Sequence, residues 1–202
     1  ASPVLAESRV YIGDPRAGSV YGFDSQNGEQ VFTFETEGGV TASPALVDGT
    51  IYFGTETGSV YAVDTDNENT VWEFTASGEV AGAPVVQDDS VYVTTASGTV
   101  QAISAESGRE EWTTETDEKI RSSPAIDDSS LYVGDGELFN RPGKLYSINI
   151  NNGRVEWTFD TEPSYGGRQG AIIRSPVVGS ERVYFGVDSN KVYAVNINDG
   201  TE

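Results

Sequence analysis

Cysteine, histidine and methionine are absent from this 202-residue chain, and lysine occurs only three times. Each absence removes a class of chemistry. Without cysteine there is no disulfide framework and no thiolate nucleophile. Without histidine the usual nucleophile–base pairs of hydrolases cannot be built. Paired carboxylates remain, as in glycosidases, but among 32 Asp and Glu residues no pair stands out. No apolar run is long enough to cross a bilayer as a helix, and no stretch has a helical period of apolar residues. No Asn-x-Ser/Thr sequon occurs. A chain that does not start with Met is expected to be a processed product or a domain excised from a longer one.

Positive charge is scarce as well. Twelve Lys and Arg against 32 acids leave a net charge of −20. The acids are spread over every turn rather than gathered in one tail. Such a surface repels itself at low ionic strength and is screened at high salt. An acidic, lysine-poor surface resembles those of proteins from extreme halophiles, and a halophilic character is the expectation; the plainer reading is an acidic domain that avoids anions. No basic stripe is available to neutralise phosphates, so nucleic-acid binding is not expected.

What the chain does have is repetition. Thr41–Phe74 holds four short runs of β-branched, aromatic and small residues, Ser43–Val47, Thr50–Gly54, Ser59–Asp64 and Thr70–Phe74. They are separated by Asp-Gly, Thr-Glu-Thr-Gly and Thr-Asp-Asn-Glu-Asn, which is turn chemistry. Four strands and three tight turns make an antiparallel meander. Ser-Pro recurs at Ser2-Pro3, Ser43-Pro44, Ser123-Pro124 and Ser175-Pro176, with Ala83-Pro84 in the third copy. The second strand opens with Val10-Tyr11, Ile51-Tyr52, Val91-Tyr92, Leu131-Tyr132 and Val183-Tyr184. The fourth carries Phe32, Trp72, Trp112 and Trp157. The period is about 40 residues in the first three copies, the range of propeller blades.

The pattern Ser-Pro, Val-Tyr-Val-Gly, Gly-x-Val-Tyr-Ala-Val-Asp, Asn-Gly-x-x-x-Trp resembles the pyrroloquinoline quinone (PQQ)-type β-propeller repeat. It is similar to quinoprotein dehydrogenases and to non-enzymatic relatives such as the outer-membrane assembly lipoprotein with the same repeat. The resemblance covers the whole chain. It implies an all-β fold, a β-propeller of four-stranded antiparallel blades, with blades at about residues 1–40, 41–80, 81–120, 121–173 and 174–202. The fifth lacks its outer strand. The expectation is a segment of a propeller of about seven or eight blades; the alternative is completion by another chain. The resemblance also implies that the recurring Trp docks against the neighbouring blade, and that the protein works outside the cytoplasm, extracellularly or at the cell surface.

One repeat serves enzymes, scaffolds and sensors alike. A quinoprotein dehydrogenase of this family would bring a calcium held by Glu, Asn and Asp, an Asp base, and often a vicinal cysteine pair. No such set can be matched here, so neither PQQ nor calcium is expected as a cofactor. The acidic turns at Asp64–Glu68, Asn149–Gly153 and Asn196–Gly200 faintly resemble calcium loops. They recur at one hairpin in every copy, as a turn would, and lack the ligand frame of a calcium loop.

Copy four departs from the repeat twice, at Asp135–Lys144 and Asp160–Arg174. In a four-stranded meander both connections leave from one end, and insertions on one face of a repeat architecture often mark a binding face. Seven of the 12 basic residues belong to that face or lie next to it: Arg16, Lys119, Arg121, Arg141, Lys144, Arg168 and Arg174. Phe139 and Tyr165 sit in the same two loops. Arg beside aromatic residues is the composition of binding hot spots. Arg121, Phe139, Arg141, Tyr165, Arg168 and Arg174 are therefore the candidate binding residues; the plainer reading is that the arginines neutralise nearby acids. Arg121 and Arg174 precede innermost strands and should lie near the central channel, where they could bind a carboxylate, a phosphate or an acidic peptide.

The reading is a non-catalytic binding or scaffold module with a protein or peptide partner, no catalytic residues and no transmembrane segment. The runner-up is a fragment of a PQQ- and calcium-dependent quinoprotein dehydrogenase. A third reading is an architectural subunit that self-associates edge to edge through the incomplete fifth blade. The charge itself is testable. Lowering salt from molar to about 0.1 M, where the Debye length grows to about 10 Å, is expected to lower the melting midpoint. An unchanged midpoint would contradict the halophilic expectation.

Overall fold

A computed structural model describes residues 2–6, 8–136, 142–162 and 170–202. The described residues contain no helix and 19 strands. Strands β1–β4 are Val4–Ala6, Arg9–Asp14, Ser19–Asp24 and Gln30–Glu35. Strands β5–β8 are Ala45–Val47, Thr50–Gly54, Ser59–Asp64 and Thr70–Thr75. Strands β9–β12 are Val85–Gln87, Ser90–Thr94, Thr99–Ser104 and Glu110–Glu115. Strands β13–β16 are Ala125–Ile126, Ser130–Gly134, Lys144–Asn149 and Val155–Asp160, and β17–β19 are Val177–Val178, Arg182–Gly186 and Val192–Asn196. Each group is one antiparallel meander, four strands in the first four sheets and three in the fifth. This is a β-propeller of four-stranded blades.

Local chemistry sets the turns. Asp48 and Gly49 both adopt positive φ, 47° and 76°, the pair of left-handed residues that a two-residue hairpin turn matched to strand twist requires. At the third-to-fourth-strand turn, Asp24 Oδ1 accepts the amides of Gln26 and Asn27 at 2.8 and 3.0 Å, and Asp64 Oδ1 accepts those of Asp66 and Asn67 at 2.8 and 3.1 Å. These carboxylates close turns. The innermost strand of every sheet starts just after the proline of its copy, at Val4, Ala45, Val85, Ala125 and Val177, so the expected Ser43–Val47 run begins two residues early. The proline stands just outside because it has no N–H to give the ladder.

Alternation along each strand splits a sheet into two buried faces. Tyr52, Val60 and Ala62 pack forward onto Val91, Val93 and Ile103 of the third sheet. Ile51, Phe53, Tyr61 and Val63 pack back onto Tyr11, Val20 and Phe32 of the first. Val20, Val60, Val100 and Leu145 hold one repeated position and are fully buried, each stabilising its interface by about 1.5–3 kcal/mol before other terms. In the fifth sheet the matching forward face is open among the described residues: Tyr184 is 46% and Val192 78% exposed.

The outer strands fasten each sheet to the next. Trp72 Nε1 donates to the Ala105 carbonyl at 2.7 Å, Trp112 to Ile150 at 2.8 Å and Trp157 to Ile197 at 2.9 Å. Each indole lies on a glycine of the same hairpin: a Cβ on Gly108, Gly153 or Gly200 would stand 2.7, 2.7 or 2.5 Å from the ring. Those glycines also sit at φ near +70°, so the turn and the ring both require them. The first interface differs. Phe32 has no N–H, and Arg9 Nη1 reaches the equivalent carbonyl, that of Thr65, at 3.1 Å. Glu68, at φ 60°, replaces the glycine there, where the docked ring is the smaller Phe.

Three substitutions test this dock. Trp112→Phe strands the Ile150 carbonyl and is expected to cost about 1–2 kcal/mol, against about 3–5 kcal/mol for Trp112→Ala. Arg9→Met is expected to cost about 0.5–1 kcal/mol, because its guanidinium is partly solvated. Equilibrium urea unfolding measures all three. An Arg9→Met midpoint equal to wild type would show that the Thr65 carbonyl needs no partner.

Candidate functional site at the channel mouth

The register places the departures of copy four at one end of the fold. Gly134 pairs with Leu145, and Lys144 with Asp160, so the β14–β15 and β16–β17 connections leave from the same edge. The bridge between Ile120 and Asp135 brings the start of the innermost strand to that end too. Phe139, Arg141, Tyr165 and Arg168 lie outside the described residues. Arg121 and Arg174 are described, are exposed, and line a single cleft of about 320 Å³ at the channel mouth.

The cationic residues of this end divide into two kinds. Lys144 is engaged: its Nζ lies 2.5 Å from Asp117 Oδ2 and 3.7 Å from Asp160 Oδ1. The hydrogen bond that the Lys144 ammonium donates to Asp117 holds it above its ordinary pKa. For Lys144 the plainer reading, neutralisation of nearby acids, is what the geometry displays. Arg121 and Arg174 have no ion-pair or hydrogen-bond partner among the described residues.

The rest of the cleft wall is built by the Ser-Pro positions. The Ser2 amide donates to Ser43 Oγ at 2.7 Å, the Ala83 amide to Ser123 Oγ at 2.8 Å, and the Ser123 amide to Ser175 Oγ at 3.1 Å. These bonds step from one innermost strand to the next around the channel. Ala83 breaks the series, since no hydroxyl stands opposite the Ser43 amide. Ser122 is 4% exposed, and its Oγ is buried without a partner. Among the described residues no carboxylate lines the cleft.

The family model described as outer membrane protein assembly factor BamB matches residues 16–202. The chain belongs to the BamB family. No curated protein matches it at the sequence level. Among solved structures it is similar to BamB from Moraxella catarrhalis, with TM-score 0.82, 19% identity, and coverage of 97% of this chain and 60% of that one. It is similar to the computationally designed Ika8 protein, with TM-score 0.79, 16% identity, and coverage of 96% and 57%. It is also similar to the quinohemoprotein alcohol dehydrogenase ADHIIG from Pseudomonas putida HK5, with TM-score 0.71, 20% identity, and coverage of 83% and 34%. The chain thus spans about 60% of the length of the BamB structure it resembles. Likeness at these identities establishes the fold, which a BamB protein, a designed protein and a dehydrogenase share.

Within this BamB-family chain, copy four carries one further departure that residue-type reasoning passed over. At the position of Thr55 and Thr95 stands Asp135, 1% exposed. In the second and third sheets the threonine hydroxyl accepts the amides of Ser59 and Thr99, at 3.0 and 3.2 Å. Asp135 instead accepts from the Lys144 amide at 2.8 Å, the Glu118 amide at 3.0 Å and the Tyr146 hydroxyl at 2.9 Å. Stacking Gly54-Thr55, Thr94-Thr95 and Gly134-Asp135 would have exposed it. Its carboxylate pins the base of the lengthened connection to the exit of the preceding sheet.

Burial pushes the Asp135 pKa above the ordinary aspartate value. A pKa raised in the folded state gives a stabilising contribution that is complete below the unfolded value of about 3.9 and is lost as pH rises through the folded value. Asp135→Asn removes that dependence. The stability difference, wild type minus D135N, is therefore expected to shrink between pH 4 and pH 7, as read by urea unfolding across pH. A difference that grows with pH would contradict the raised value.

Proposed function

We propose that this chain is a non-catalytic binding module, one that takes a protein or peptide partner at the channel-mouth end of the sheets. The observation that carries the reading is the pairing of Arg121 and Arg174 in a cleft where, among the described residues, both are uncommitted and no carboxylate is present, in a chain of net charge −20. Between neighbouring sheets the repeat's apolar faces are consumed by packing, the forward face of the fifth sheet remaining open, and its acidic turns are consumed by their own closure. The end from which both lengthened connections leave is the part of the repeat that varies. Phe139, Arg141, Tyr165 and Arg168 fall in those connections and would extend the surface beyond the cleft.

The quinoprotein reading finds less support. A quinone held with calcium needs Asp, Glu or Asn oxygens beside it, and no such side chain lines the channel-mouth cleft. No group of three acidic side chains suited to a metal occurs among the described residues. No reaction step is derived through that cofactor. The family description, which names an outer-membrane assembly factor, supports a cell-envelope or surface location and a protein partner. The acidic, lysine-poor composition supports a halophilic setting.

Panning a peptide library against the purified protein tests the reading. Recovered peptides are expected to protect amides near Lys119–Ser123, Asp135 and Ile172–Ser175 from hydrogen exchange. Protection confined to the opposite hairpins, near Asp64–Asn69 and Ser104–Arg109, would contradict it. So would PQQ- and calcium-dependent dye reduction by the protein.

A further inference from the structure

The channel mouth carries a sharper inference, which rests on the binding-module reading and names what the site recognises. Its wall holds hydrogen-bond donors with no acceptor among the described residues. Arg121 and Arg174 offer two guanidinium forks, each uncommitted among the described residues. Ser122 Oγ sits in the wall without a partner. The Ser43 amide lacks the hydroxyl that serves its counterparts at Ser2, Ala83 and Ser123, because Ala83 has none to give. Four other clefts of the molecule each include a carboxylate: Asp135, Asp66, Asp127 and Asp14 are among their lining residues. With 32 acids in the chain, a cleft lined by arginine, serine and small residues is where an anion meets least repulsion.

We propose that the channel mouth is a seat for a single carboxylate group of a peptide, a chain terminus or an acidic side chain, with Arg121 and Arg174 as its cationic donors. The Ser43 amide is a neutral donor of the same wall, and the Ser122 hydroxyl lies buried behind it. A guanidinium fork fits a carboxylate or a phosphate equally well in shape. A phosphoryl group carries about −1.5 to −2 at neutral pH, so its attraction to the two guanidinium groups and its repulsion by a chain of net charge −20 are both nearly twice those of a carboxylate. The carboxylate is the choice because an unmodified peptide carries it at its terminus and on its acidic side chains. A cleft of about 320 Å³ admits one such group with its flanking residues, rather than a folded domain.

The test uses the intact chain, labelled with nitrogen-15, and two probes: N-acetylated trialanine with a free carboxyl terminus, and the same peptide as its amide. The free acid is expected to shift the signals of Ser43, Arg121, Ser122 and Arg174 saturably, and the amide to leave them in place. The double variant R121Q/R174Q, both sites being exposed, should keep the wild-type melting midpoint and weaken the free acid by at least about tenfold, the scale of a hydrogen bond to a charged group. Ala83→Ser supplies an acceptor for the Ser43 amide and should also weaken binding without unfolding the chain. Equal shifts from the amide would overturn the carboxylate seat while leaving the binding module standing. Displacement of the peptide by an equal concentration of inorganic phosphate would overturn the choice of anion. No shift with the free acid at millimolar concentration would overturn the seat altogether.

Discussion

A tryptophan indole in one sheet, donating to a hairpin carbonyl in the next, is the interaction on which the arrangement rests. Strand pairing alone gives separate meanders, each with two apolar faces and little stability of its own. The indole bond fixes how far one sheet turns against its neighbour, at 2.7 to 2.9 Å in three interfaces. The ring also covers the tyrosine of its own sheet, at centroid separations of 5.9, 5.8 and 5.8 Å. The glycine beneath it serves the turn and the dock together. The first interface shows that the bond matters more than the residue that makes it. When Phe32 takes the tryptophan position, Arg9 comes from another strand to the same carbonyl.

That dock has a consequence for function. It commits both lateral faces of every interior sheet to packing, and it commits the third-to-fourth-strand hairpins to receiving indoles. What remains for a partner is the other end, where the second-to-third connections and the sheet exits meet. There the copies diverge. Asp135 replaces a threonine hydroxyl and anchors a lengthened connection. Arg121 and Arg174 enter the channel mouth, and Ala83 interrupts a series of serine hydroxyls. A surface this acidic repels anions almost everywhere, so the few places where arginine stands without a carboxylate acquire a selectivity that the same arginines would lack on a neutral protein.

Much of this was legible in the sequence, because the repeat prints each structural position several times. Strand identity, the two-faced alternation in Val60–Val63 and the docking role of Trp72, Trp112 and Trp157 all follow from stacking the copies. The start of the innermost strand was missed by two residues, since sequence marks the Ser-Pro pair but not the first ladder bond. Arg9 was illegible for a different reason. The substitution to Phe32 is visible, but the guanidinium that compensates for it lies 23 residues away on a strand where charge looks like surface. Asp135 was passed over as an acid among many acids; stacking it on Thr55 and Thr95 shows the replacement, and burial shows its consequence. At the candidate site, proximity of Arg121 and Arg174 to the channel was anticipated from their place before innermost strands. The uncommitted Ser122 hydroxyl and the Ser43 amide depend on contacts between sheets, which no single repeat records.

The most direct test of the central claim is native-state hydrogen exchange at the three indole N–H groups, followed as denaturant is raised. If inter-sheet docking holds the fold together, the indole protons of Trp72, Trp112 and Trp157 will exchange only through the opening that also exposes the strand amides around them, with the same denaturant dependence. Indole protons that exchange freely in native conditions, while those amides stay protected, would contradict it. The sheets would then be held by apolar packing alone, and the hairpin ends would be as available to a partner as the channel mouth.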